Sequence, residues 1–531
     1  MCGVMRRRER LRIGWATLMV AAVFGVAGCQ SAVHQQSSSG DSVAGQARNG
    51  GDLRVGVLDD LQPKTFLQIN QPGPNGIVSA NVFDTLTRYA NDKLVVRPDL
   101  ATAWRLAPDG LSLTLDLRQG VTFHDGRPFV STDVENSIKA YLSGPWTPQF
   151  KRTAAAITSY DTTDPHRVVL HFQHPLSNIF DLLDSAPILD QNSLADLKAG
   201  KKFVGTGPYK FASWTPNSTV KLVRNDRYWG GAPKLDSITL VVGKDPESLY
   251  TRLRTGQLDV AFELASHDQK LATSRYGFTN ISLSGGEAQE YVGVNVSNPA
   301  LRDVRVRKAI AYAIDRKRII DDVYQGSGYP INVPWPKTSP AYDPAANTVY
   351  TRDVAKAKAL VAQVGPIPTV DLDYSTQGSD RVIAEIVQSN LKDVGINVNL
   401  VPNDQTVQGT KLIAGTYSGL WIQQHAFAQY TPSTLAVTAY PFNAAKNSSH
   451  YQNAAYTAAA NAAWLAPLAT SPTAVDAYRA LDQRWLDDLF LVEIGVVIPQ
   501  AAAAPDVSGV DWDRRDQPHF AGTYFNSAGR S

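Results

Sequence analysis

Cysteine is almost absent from this chain. Of 531 residues only Cys2 and Cys29 are cysteines, and both precede the stretches with globular patterning. A disulfide framework and a cysteine-ligated zinc site in the body of the chain are therefore excluded. Charge imbalance is missing too. The 51 basic and 49 acidic side chains leave a formal net charge of +2, so a nucleic-acid partner has no electrostatic support. Catalytic signatures are equally scarce. The chain has no Gly-x-Ser-x-Gly elbow, no His-Glu-x-x-His and no nucleophilic cysteine in its body, which argues against a secreted hydrolase. The turn Gly205-Thr206-Gly207-Pro208-Tyr209 lacks the Lys-Ser/Thr ending of a phosphate loop. No repeat is visible at a period of about 20–50 residues, which argues against solenoids and propellers.

Histidine offers no metal centre. His124 stands in a His-Asp-Gly turn, and His171 and His174 lie three apart in an apparent strand, where they point to opposite faces. No metal and no cofactor are expected.

The N-terminus carries more information. Arg6, Arg7, Arg8, Arg10 and Arg12 form a basic segment, and residues 13–27 are an apolar run too short to span a bilayer comfortably. Val26-Ala27-Gly28-Cys29 follows and resembles a lipobox, the cleavage site of bacterial lipoproteins. This resemblance implies a signal peptide over 1–28, lipidation of Cys29, and membrane attachment through that lipid. Residues 29–50 are rich in Ser, Gly and Gln without apolar periodicity, the composition of a flexible tether.

Length predicts roughly three folded units at about 150 residues per domain. Leu111, Leu113, Leu115 and Leu117 alternate with polar residues, as in a half-buried strand. Helices are expected over 77–86, 133–141, 247–255, 353–364 and 381–394, and a strand–helix–Gly–strand unit over 370–401. The most structured wording is VGVNVSNPALRDVRVRKAIAYAIDRKRIIDDVYQG, residues 292–326. A strand over 291–296 is stopped by Ser297, Asn298 and Pro299. Asp303 is placed to cap a helix carrying Val306, Ile310, Ala313 and Ile314 on one face. Asp315 is placed to cap a second helix with Ile319, Ile320, Val323 and Tyr324 inward, closed by Gly326.

That stretch closely resembles the central motif of the family 5 solute-binding proteins, the oligopeptide, dipeptide and nickel receptors of bacterial ABC importers. Further passages resemble the family in the family's order: residues 97–142, the Gly205–Phe211 turn, Asn225–Asp236, Gly256–Val260 and Glu385–Val398. The resemblance implies an α/β fold, two-lobed and periplasmic-binding-protein-like (type II, cluster C-like), with a hinge and an extra domain on the first lobe. It implies a discontinuous domain I over 51–88, 204–288 and 496–531, domain II over 89–203, and domain III over 289–495. The strand over 291–296 would stand where the chain crosses between lobes. It further implies a monomeric, extracytoplasmic receptor, not an enzyme, whose partners are ABC permease subunits and a peptide or peptide-sized polar solute held between the lobes.

One departure bears on the ligand. In the family's peptide-binding members an Asp shortly after a Trp pairs with the ligand's α-ammonium. Here Trp421 matches that Trp, Gln424 stands in the Asp position, and no Asp or Glu occurs from 405 to 475. A buried ammonium without a charge partner costs several kcal/mol. Either the anchor lies elsewhere or the ligand has no cationic end, which keeps an oligosaccharide, a metal chelate or another non-peptide ligand open. Gln423, Gln424 and His425 are candidates to hydrogen-bond a polar ligand. Trp421, Phe427, Tyr430 and Trp335 are candidate aromatic walls, with core packing the competing role for each.

Overall fold

The computed structural model describes residues 47–66, 73–143, 148–426 and 430–526. The signal peptide, Cys29 and Phe427 lie outside the described residues, as does the tether up to residue 46.

The chain is built by leaving and re-entering sheets. After a two-residue strand, Ala47–Arg48, come strand β1 (Asp52–Val57) and helix α1 (Gly73–Val82). Four strands then form a separate antiparallel sheet: β2 (Ala101–Leu106), β3 (Ser112–Leu117), β4 (Ile157–Asp161) and β5 (Arg167–Phe172), in the order β2-β3-β5-β4. The expected alternation appears in β3, where Leu113, Leu115 and Leu117 are buried and the residues between them are not, but Leu111 lies before the strand and is exposed.

The chain returns to β1 through β6 (Tyr209–Thr215), β7 (Thr219–Arg224) and β8 (Ser237–Val242). Helix α2 (Pro246–Arg254), capped by Asp245 accepting from the Ser248 amide at 2.7 Å, leads to β9 (Val260–Ala261). Helix α3 (Ser266–Arg275) leads to β10 (Thr279–Ser282). Strands β8 and β9 flank β1 in parallel.

The chain now crosses to a second sheet. Strand β11 (Ala288–Val294) is its centre, buried at all seven positions. Helix α4 (Val304–Ala313) follows, with Asp303 accepting from the Arg305 amide at 2.8 Å. Strands β12 (Gly328–Pro330) and β13 (Val370–Ser375), helix α5 (Asp380–Lys392), then β14 (Val398–Asn403), β15 (Leu420–His425) and β16 (Leu491–Val497) complete the sheet. Its order is β12-β16-β11-β15-β13-β14. Strand β17 (Gln500–Ala503) recrosses, and the first sheet closes as β10-β17-β9-β1-β8-β7-β6. The result is two α/β lobes joined by two crossings, residues 283–287 and 498–499.

Three elements differ from expectation. The strand expected over 291–296 is Ala288–Val294, and it lies inside the second sheet, after the crossing at 283–287 rather than on it. The first helix is Gly73–Val82 rather than 77–86, because Asp84 lies outside it and accepts from Thr206, Tyr228 and Trp229. The second helix of the central motif is a single α turn, Arg316–Arg318, that widens into a π turn, Ile319–Val323. Asp315 caps it as expected, at 3.1 Å from the Arg318 amide. After the wider turn the Tyr324 hydroxyl reaches β11 and donates to Glu290 Oε2 at 2.7 Å.

Candidate ligand cleft

Register decides which side chains of the second sheet face which way. In the antiparallel β11–β15 pair Gln289 stands opposite His425, Glu290 opposite Gln424, Val292 opposite Ile422 and Gly293 opposite Trp421. Opposed residues share a face. One face therefore carries Val292, Val294, Leu420 and Ile422 into the core beneath α4 and α5. At its open end the same face carries Glu290 and Gln424. The other face carries Gln289, Tyr291, Trp421, Gln423 and His425.

Gln424 borders a cavity of about 410 Å³, within the range of ligand sites. The wall from the first lobe includes Val57, Ile77, Phe262 to Ser266 in part, and Gln269. The second lobe supplies Ala288, Tyr324, Gln424, Ala426 and Val497, and the C-terminal loop supplies Arg515, Asp516 and Pro518. Both chain crossings contribute, through Leu283, Gly286, Ile498 and Pro499. The cavity thus opens where β1 ends and where the lobes are tied together.

Among the described residues three charged side chains line it: Glu263, Arg515 and Asp516. Arg515 is almost fully buried and already paired. It binds Asp513, lies 3.8 Å from Asp184, and donates to the Ser185 carbonyl at 3.2 Å. Burial raises Asp513, but the Arg515 charge and the His519 contact overcome it and hold that carboxyl well below its usual range. Asp516 behaves in the opposite way. Burial first, then the charges of Asp513 and Glu263, push its carboxyl well up. Its Oδ1 is shielded from water and has no hydrogen-bond partner. Glu263 is exposed at the cavity edge and accepts one hydrogen bond, from the Leu58 amide at 3.2 Å. Both acids sit on left-handed backbone, Glu263 at φ 60° and Asp516 at φ 62°, a conformation uncommon for Glu.

Of the candidate ligand residues named from the sequence, only Gln424 among the described residues lies in this wall. Trp421 is fully buried on the opposite face, stacked on Tyr417 with centroids 4.5 Å apart and planes 10° from parallel. Gln423 shares that face. His425 is buried there, edge-on to Phe442 at 4.5 Å, and burial lowers its pKa to about 3. Tyr430 is fully buried between the lobes' helices, accepting from Ser185 at 3.2 Å and edge-on to Phe150. Trp335 is fully buried and donates to Asp482 at 2.6 Å. His124 ties a turn to the first lobe, its Nε2 3.0 Å from the Gly207 carbonyl. No group of three or more potential metal ligands occurs among the described residues. Glu263, Gln269 and Asp516 escaped sequence reasoning. The charged run Asp511–Asp516 was the one local signal for the last of them.

Comparison with known proteins agrees with this architecture. The oligopeptide-binding protein AppA of Bacillus subtilis (strain 168) is 28% identical over 422 residues, covering 74% of this chain and 76% of that one. The periplasmic binding protein DppA from Helicobacter pylori, solved in complex with peptide STSA, superposes with a TM-score of 0.76 at 21% identity, over 90% of this chain and 99% of that one. AgaA of A. tumefaciens R10, solved with agropinic acid, gives a TM-score of 0.74 at 24% identity, over 90% and 99%. The family model of the bacterial extracellular solute-binding proteins, family 5 (Middle), matches residues 95–452, and the chain belongs to that family.

Proposed function

We propose that this protein is the lipid-anchored, extracytoplasmic substrate-binding component of an ABC importer. It works as a monomer, captures a peptide or peptide-sized polar solute between its lobes, and turns nothing over. The observation that carries this reading is the cavity of about 410 Å³ whose wall is shared by the edges of both sheets. A ligand there touches both lobes at once, so its affinity favours the arrangement in which they meet. The similarity to AppA, an oligopeptide-binding protein, supports the peptide class.

A second reading, a receptor for a non-peptide solute, draws on the neutral Gln424 in the cavity wall and on the likeness to AgaA with agropinic acid. A thermal-shift screen over peptides, oligosaccharides and metal salts separates the two. Ligand at about 100 times Kd stabilises the fold by about 2.7 kcal/mol. Stabilisation by peptides is expected; turnover of a substrate without stable binding would sink the receptor reading.

The domain division follows the same reading: domain I over 51–88, 204–288 and 496–531, domain II over 89–203, and domain III over 289–495. In support, the seven-, four- and six-stranded sheets fall into those three sets of residues to within two positions. Attachment to the membrane rests on Cys29. Cys29→Ala is expected to leave unprocessed precursor without acyl label. Acylated, membrane-bound Cys29→Ala protein would remove the anchor.

A further inference from the structure

The two lobes touch at a second place besides the chain crossings. The short helix Ile179–Ser185 lies between the four-stranded sheet and the return to β6. Helix Pro432–Thr438 lies between β15 and β16 of the second sheet. The two meet at Asp181, which is fully buried. Among the described residues four groups donate to its carboxylate. The Tyr89 hydroxyl, from the first lobe, donates at 2.8 Å. The other three come from the second lobe: the Thr431 hydroxyl at 2.8 Å, the Thr431 amide at 3.1 Å and the Thr434 hydroxyl at 2.6 Å. Thr434 Oγ1 accepts in turn from the Asn178 side chain at 2.9 Å. Beside it the Ser177 and Ser433 hydroxyls stand 2.8 Å apart, and the Ser177 amide donates to the Trp464 carbonyl at 3.1 Å.

This seam has the chemistry of a contact that opens and closes. Hydroxyls and amides regain hydrogen bonds from water when they part, whereas apolar core side chains do not. Asp181 also disfavours any halfway state. Burial raises its carboxyl to about 6, and the hydroxyl and amide donors pull it back down. A gap too narrow for water strips it of three donors and leaves the charge buried, which is costlier than the seated or the fully hydrated state. None of these residues lines the cavity of about 410 Å³, so the seam is complete without touching a ligand.

We infer that Asp181, Thr431 and Thr434 form a latch that holds part of the unliganded population closed. The inference rests on the lobes moving about the crossings, as capture of a solute between them requires. Where the receptor is already partly closed, the closing step offsets less of the ligand's affinity. The latch therefore raises affinity for every ligand by one common factor and leaves preference among ligands to the cleft wall.

The test uses the full chain in detergent, carrying nitroxide labels on Ser159→Cys, exposed on β4, and Gln363→Cys, exposed on the helix Val354–Val364. Pulsed electron paramagnetic resonance reads the distance between the labels, without ligand and with a random tetrapeptide library. The unliganded parent is expected to show a closed and an open distance, and the library to shift it to the closed one. Asp181→Ala and the equal-sized Thr434→Val remove opposite sides of the latch. Each is expected to lower the unliganded closed-to-open ratio by at least about tenfold, with melting temperatures checked for folding. A ratio unchanged in the folded variants overturns the latch; if the library still shifts it, capture between the lobes stands. An unliganded parent with the open distance alone also overturns the latch. A single distance in every sample overturns the latch and capture between moving lobes together.

Discussion

Asp482 illustrates how one buried acid makes stability depend on pH. Its carboxyl accepts from the Trp335 indole at 2.6 Å within a ring of buried aromatics that includes Trp485. Burial raises its pKa to about 8, with Asp343 adding to the rise and the Trp335 hydrogen bond opposing it. The folded value lies above the unfolded one. The folded form therefore binds the extra proton, and this contribution to stability is complete below about pH 4 and lost as pH rises towards 8. Asp482→Asn keeps an acceptor for Trp335 and removes the charge. The decline in unfolding free energy between about pH 5 and pH 8 is expected to flatten by about 3 kcal/mol, at about 1.4 kcal/mol per tenfold in proton affinity. Urea titrations at the two pH values measure it, and parallel declines in variant and parent would refute it. Trp335 also shows what the sequence leaves open. A tryptophan suits a ligand wall and a core equally well, and only the partner, here Asp482, tells them apart.

The elements were far more legible than the site, for a physical reason. Caps and alternation are local. Asp303, Asp315 and Asp353 each accept from the helix they precede, and Gly365 closes its helix at φ 90°. The π turn at Ile319–Val323 left no such local mark, since the same apolar spacing suits a continuing α-helix. Register is a relation between distant strands, and it fixes one position sharply. Gly293 on β11 stands opposite Trp421 on β15, and a Cβ built there overlaps the indole ring. The ring cannot retreat freely, because Tyr417 stacks on its other side. Gly293→Ala is therefore expected to destabilise the protein by about 1–3 kcal/mol, the usual cost of overpacking. It should also change the tryptophan emission. An unchanged denaturation midpoint would mean that β11 and β15 are not held in this register.

At the scale of the whole molecule, the cleft is a property of connectivity. Val57 ends β1, Glu263 follows β9, Gln424 lies on β15, and Asp516 follows the last crossing. These residues are far apart in the sequence and meet only because the chain passes twice between the sheets. No periodicity or motif joins Glu263 to Asp516, which is why the cavity acids stayed hidden while the family wording was plain. The same connectivity makes a prediction about the response to ligand. A solute in a cavity walled by both lobes orders both at once and restrains the crossings 283–287 and 498–499 that border it. Amide hydrogen exchange with and without a bound peptide reads this directly. Slower exchange is expected at the ends of β1 and β9, in β15 and in both crossings together. The outer strand β4, at the edge of the four-stranded sheet, supplies no residue to the cavity wall and should exchange unchanged. Protection confined to one lobe would place the ligand on a single sheet edge and leave the crossings without a role in its capture.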